Sequence, residues 1–270
     1  MKNDNRIKVL TGIVSVLVLI AAVCLCLFTK RGEKTHADVL ILGDSIFGLV
    51  RDETGISEIL SGETGLNVFN GAFGGTKGVY DRDNVNKSDS KGAYSLSGIC
   101  DSLISGDFGP QLSAHVRESN TEYFRSLMRK MRRLDTKDLK YIIIGHGLND
   151  YHSGEGKNFK EEYKEVIEKL SKAFKDTRII LITPPYTWYE TNGKTCEEYE
   201  IEGYNLSSYV EWVKEIAKEY NLECIDLYED LYDTKDYDDR NKYTTDGVHP
   251  NDKMRREIAT KIGKVLITAE

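Results

Sequence analysis

Short apolar runs alternate along this chain with longer stretches in which apolar residues recur every three or four positions. The runs are "DVLIL" at 38–42, "LNVFN" at 66–70, "YIIIG" at 141–145, "RIILIT" at 178–183 and "LECIDL" at 222–227. Most are continuous rather than alternating, which suits strands covered on both faces. Helical spacing links Phe159, Tyr163, Val166, Ile167, Leu170 and Phe174. It also links Leu206, Tyr209, Val210, Val213, Ile216, Ala217 and Tyr220, and then Met254, Ile258, Ile262, Val265 and Leu266. "AYSLSGICDSLIS" at 93–105 reads as one more helix, set after a polar, loop-like stretch that begins at 77. Strand and helix in turn imply βαβ units, so the expectation is an α/β domain over 37–270 with a parallel sheet of about five strands. There is no internal repeat and no low-complexity tract.

The N-terminus follows another rule. "VLTGIVSVLVLIAAVCLCLF", residues 9–28, carries no charge. As a helix at about 1.5 Å per residue it spans roughly 30 Å, the thickness of a bilayer core. It lacks a small-residue cleavage site, so the expectation is a retained transmembrane signal anchor, with a short tail at 1–8 and a linker at 29–36. Lys2, Arg6 and Lys8 precede it and Lys30, Arg31 and Lys34 follow it, a balance that leaves orientation open by charge. A short tail, one span and a large C-terminal domain favour an extracytoplasmic domain at the cell membrane.

Composition is that of a globular protein, with 40% hydrophobic and 30% charged residues among 270. A net charge of -7 argues against nucleic acid as a partner. "RKMRR" at 129–133 reads as the solvated face of an amphipathic helix. Cys100, Cys196 and Cys224 make neither a disulfide framework nor a zinc pattern. One disulfide with one free thiol, or three buried thiols, both fit.

Candidate chemistry lies just after the expected strands, because ligands of an open parallel sheet bind at the strands' carboxyl ends. The first strand runs into Gly43-Asp44-Ser45, where an acid and a serine either cap a helix or present a nucleophile. The second is followed by "NGAFGGTKG", the third by "GHGLND", and the acidic loop beyond the fifth ends in "TTDGVHP". A serine hydroxyl needs a base, and His249 has the right intrinsic pKa. The imidazole needs an acceptor that fixes its tautomer, and Asp246 is three residues away. The developing oxyanion needs fixed donors, which the N–H groups of Ser45 and Gly75 and the Asn149 amide supply. "NGAFGGTKG" lacks the Gly-Lys-Ser/Thr order of a phosphate loop, and the acidic run at 233–246 lacks the glycine and terminal glutamate of an EF-hand. No metal and no cofactor is implied.

Together, "GDS" at 43–45, Asn70 with Gly75, "GLND" at 147–150 and "DGVH" at 246–249 resemble the four blocks of the SGNH/GDSL hydrolases. The resemblance implies a flavodoxin-like three-layer α/β/α fold and a metal-free Ser45–His249–Asp246 mechanism, with Ser45, Gly75 and Asn149 as the oxyanion hole. Candidate substrate contacts are Asp44, His146, and Tyr186 and Trp188 in the aromatic loop at 184–204. A structural role competes with contact for His146, and loop packing competes for the aromatics. His152 is read as structural or solvent-facing. The expected function is a membrane-anchored serine esterase, with O-acetyl groups on glycans as the suggested substrate. An O-acetyltransferase and a non-catalytic surface-binding protein are the rivals.

Overall fold

The computed structural model describes residues 34–80, 92–116 and 120–268, and Ile20 on its own. The chain divides into two compact units, Met1–Thr35 and His36–Glu270, and the fold described is that of the second. The apolar run 9–28 otherwise lies outside the described residues, among which no helix is long and apolar enough to cross a membrane.

Each expected strand is present: β1 (Val39–Gly43), β2 (Val68–Asn70), β3 (Tyr141–Gly145), β4 (Arg178–Ile182) and, after a small antiparallel pair of β5 (Trp188–Tyr189) and β6 (Lys194–Thr195), β7 (Glu223–Ile225). The five longer-range partners pair in parallel in the order β2-β1-β3-β4-β7. Every residue of β1 and β3, at the centre, is buried, whereas β2 and β7 at the edges are half-buried or exposed at most positions. Continuous apolar runs therefore mark the strands with cover on both faces.

Right-handed crossovers explain the layers. The chain steps from β1 to β2 in one direction and from β2 past β1 to β3, β4 and β7 in the other, so its helices fall on opposite faces. The helix Ile56–Thr64 pairs with the final helix Asp252–Ile267. On the other face Leu96–Ser105 packs against Gly156–Ala173, which packs against Leu206–Glu219. Side-chain caps start several of these helices: Ser95, Asn205 and Asn251 each accept an N–H from the first turn. The "RKMRR" segment ends the helix Thr121–Met131, which buries Phe124, Leu127, Met128 and Met131 and leaves Arg129 and Lys130 in solvent.

All three described cysteines are free thiols, with Cys100 and Cys196 buried and Cys224 exposed. The disulfide of the first alternative is not formed among them, and the second alternative, three buried thiols, holds for two of the three. The chain reverses direction across the sheet between β1 and β3, and that switch point is where the fold opens a crevice.

Candidate active site

Ser45 leaves the end of β1 on a four-residue helix, Ser45–Gly48. The capping reading of "GDS" is met by Asp44 rather than by Ser45. The Asp44 carboxylate accepts the Ile46 N–H at 2.9 Å, which leaves the Ser45 hydroxyl uncommitted to the cap. The His249 Nε2 lies 2.9 Å from Ser45 Oγ across 204 residues of sequence. On the other edge of the ring, His249 Nδ1 lies 2.6 Å from Asp246 Oδ2. The second oxygen, Asp246 Oδ1, accepts the backbone N–H of Val248 at 3.0 Å and of His249 at 2.7 Å. Partial burial pushes the Asp246 carboxyl up, but these hydrogen bonds and the imidazole outweigh it and hold the group below its ordinary value.

The turn that carries His249 is anchored from two sides. Gly247 adopts a φ of 83°, and a Cβ there would meet the Trp188 carbonyl oxygen at 2.2 Å. Glycine thus lets the Trp188 N–H donate to the Gly247 carbonyl at 2.8 Å. The buried Arg255 guanidinium donates to the carbonyls of Pro250 and Thr54, each at 2.8 Å, and so joins the histidine turn to the loop beyond Ser45.

Opposite the serine, the 74–79 loop is fastened to the helix Leu148–His152. The Asn149 side-chain amide donates to the Thr76 carbonyl at 3.0 Å. The fully buried Asp150 accepts the N–H groups of Gly78 at 2.8 Å and Val79 at 3.1 Å. Burial raises the Asp150 carboxyl to about 7 despite those bonds. Gly75 has a φ of 80°, which favours glycine, and its ideal Cβ would lie 3.0 Å from the Tyr94 hydroxyl. Asn70 ties this loop back to the serine helix: its Nδ2 donates to the Phe47 carbonyl at 2.9 Å and its Oδ1 accepts the Ala72 N–H at 3.1 Å. Arg51 reinforces the junction by donating to the Gly48 and Asn70 carbonyls, each at 3.0 Å, and to the Ala72 carbonyl.

One cleft of about 860 Å³ is lined by Ser45, Gly75, Asn149, Asp246 and His249 together. The four proposed substrate contacts are not among its lining residues, and each has a physical reason. Asp44 is buried in its cap, where desolvation raises its carboxyl to about 6. His146 is buried beneath Thr76, with its Nε2 3.3 Å from Thr76 Oγ1, and burial lowers it to about 3. Tyr186 and Trp188 are core residues, their rings 5.0 Å apart and packed on Tyr228, Tyr232 and Tyr243. The loop-packing alternative is therefore the one realised for these two aromatics. His152 is solvent-facing, one of its two expected placements, and its exposed side lines the cleft beside Asn149. Tyr94, Val116, Asn120 and Tyr123, from the segment between the second and third blocks, line it as well. No pattern in that segment singles out which of its side chains face the crevice.

Residues 41–256 match the model of the GDSL-like Lipase/Acylhydrolase family. No curated protein sequence matches the chain. Its fold is similar to a member of the lipolytic protein G-D-S-L family from Veillonella parvula DSM 2008, at TM-score 0.52 and 17% identity, covering 86% of this chain and 99% of that one. It is similar to an acetyl xylan esterase, AlAXEase, at TM-score 0.52 and 18% identity over 84% of this chain and 99% of that one. A carbohydrate acetylesterase family member from Sinorhizobium meliloti aligns at TM-score 0.51 and 14% identity, covering 85% of this chain and 97% of that one.

Proposed function

This chain belongs to the GDSL-like lipase/acylhydrolase family and is a hydrolase of it, and on that premise we propose that it cleaves carboxylic esters through an acyl intermediate on Ser45. The observation that carries the reading is the relay of Ser45 Oγ, His249 Nε2 at 2.9 Å and, through the ring, Asp246 at 2.6 Å. Asp246 accepts from Nδ1, so Nε2 is the ring's basic atom and faces the hydroxyl. Ser45 Oγ bonds to the acyl carbon as its proton passes to Nε2. The tetrahedral oxyanion is met by the N–H groups of Ser45 and Gly75 and the second Nδ2 hydrogen of Asn149. Collapse breaks the carbon–oxygen bond to the alcohol, which leaves with the proton from Nε2. Water then repeats the sequence, freeing the carboxylic acid and returning the proton to Ser45.

The ester we favour is an O-acetyl group on a sugar. The 860 Å³ cleft has room for a ring beside Ser45. Two similar folds are named for acetyl xylan and carbohydrate acetyl esters, which makes these the first substrates to test. The uncharged run 9–28 supports a retained anchor with the domain on the outer face of a bacterial membrane. Such a chain stays in the membrane fraction through alkaline carbonate and leaves it with detergent. Release by carbonate overturns the anchor.

A fluorophosphonate probe tests the site without assuming a substrate. The full-length parent in detergent is expected to label, and folded Ser45→Ala and His249→Ala variants are not. A folded parent that neither labels nor releases acetate from acetyl xylan overturns the reading.

A further inference from the structure

His152 sits at the C-terminal end of the helix that carries Asn149, with its ring in the cleft wall. Its Nε2 lies 3.1 Å from the Tyr189 hydroxyl. That hydroxyl oxygen also accepts from Thr187 Oγ1 at 3.3 Å, which fixes it beside the ring. Tyr189 thus engages Nε2, and Nδ1 has no hydrogen-bond partner among the described residues. The side chain is open to solvent on one side, but the rings packed on the other desolvate it and, with the neighbouring charge of His249, lower His152 to about 4, so the ring stays neutral at pH 7. Its face meets Tyr151 at 5.3 Å and Tyr189 at 5.7 Å between centroids, and Tyr189 continues to the partly exposed Tyr199 at 5.3 Å.

Among the described residues, the wall beside Asn149 carries no uncommitted charge. Lys77 is buried and pairs with Glu155 at 3.3 Å. Asp150 is buried and turned to the backbone of 78–79. What borders the cleft beside Asn149 is a set of uncharged polar groups: the amide itself, the His152 imidazole and the Ser153 hydroxyl. The net charge of -7 disfavours the approach of an anionic substrate, and among the described lining residues the one lysine is Lys77, already paired. Uncharged donors flanked by aromatic rings suit a neutral ring bearing hydroxyls.

We propose that His152, oriented by Tyr189, recognises the alcohol half of the ester through its Nδ1, and that this alcohol is an uncharged sugar ring. The inference rests on the acetylated-sugar reading above. It predicts that His152→Phe, which keeps a ring and removes both nitrogens, lowers kcat/KM on acetylated xylooligosaccharides about tenfold more than on p-nitrophenyl acetate, with the difference in KM. Tyr189→Phe, which frees the imidazole from its hydroxyl partner, shifts the same ratio in the same direction by less. Fluorophosphonate labelling of each variant confirms that it is folded with an active serine. Equal losses on both esters, or a preference that survives in both variants, overturn the inference while leaving the acetylated-sugar reading in place. A parent that cleaves p-nitrophenyl acetate through Ser45 but no acetylated sugar overturns both.

Discussion

Two adjacent side chains divide this turn between them, Asp44 capping the helix and Ser45 facing His249. The division predicts separable effects. Ser45→Ala removes the acyl acceptor and leaves the cap, so activity falls by about 10⁴-fold or more while the melting temperature moves little. Asn149→Ala removes one proposed oxyanion donor together with a tie to Thr76. Steady-state kinetics are expected to show kcat lowered by roughly 10²- to 10³-fold, with a much smaller change in KM. The meeting of Ser45, Asp246 and His249 was legible because the proposed chemistry demands those residue types in one place, and the strand pattern says where strands end. Tyr186 and Trp188 were not, since an aromatic residue that stacks on a ligand and one that fills a core have the same sequence signature. Only the position of Tyr228, Tyr232 and Tyr243 around them decides it.

Among elements, the strands and long helices were readable from periodicity alone, and the ties between loops were not. Arg255 shows why. It lies on the helix Asp252–Ile267 at a position whose burial depends on the loop at Thr54, about two hundred residues away. Its bonds to Thr54 and Pro250 hold the histidine turn against the loop beyond the serine helix. Arg255→Met keeps much of the side-chain volume and leaves those two carbonyls without their donor. The cost is about 3 kcal/mol, which thermal unfolding would register as a fall of roughly 6–12 °C. Fluorophosphonate labelling below the new melting temperature is expected to slow as well, because the turn carrying His249 loses one of its two anchors.

For the molecule as a whole, buried carboxylates set part of the response to pH. Asp150 has its folded value raised from 3.8 to about 7, and Asp44 from 3.8 to about 6, both by burial. A raised folded value means that the native state holds its proton more tightly than the unfolded chain does. The stability these groups contribute is full below about pH 4 and is lost as pH rises through about 6 to 7. Asp246 works in the opposite sense, its contribution being lost as pH falls. A comparison with Asp150→Asn isolates one group. The parent's advantage in melting temperature over that variant is expected to grow as pH falls from about 7 to about 4, and a constant difference would show that Asp150 titrates normally. Finally, the 204 residues between Ser45 and His249 have a consequence in time. At roughly 5–20 residues per second of synthesis, the histidine follows the serine by about ten to forty seconds. Throughout that interval the nascent chain carries an ordinary alcohol without a base, and the cell makes the enzyme unarmed.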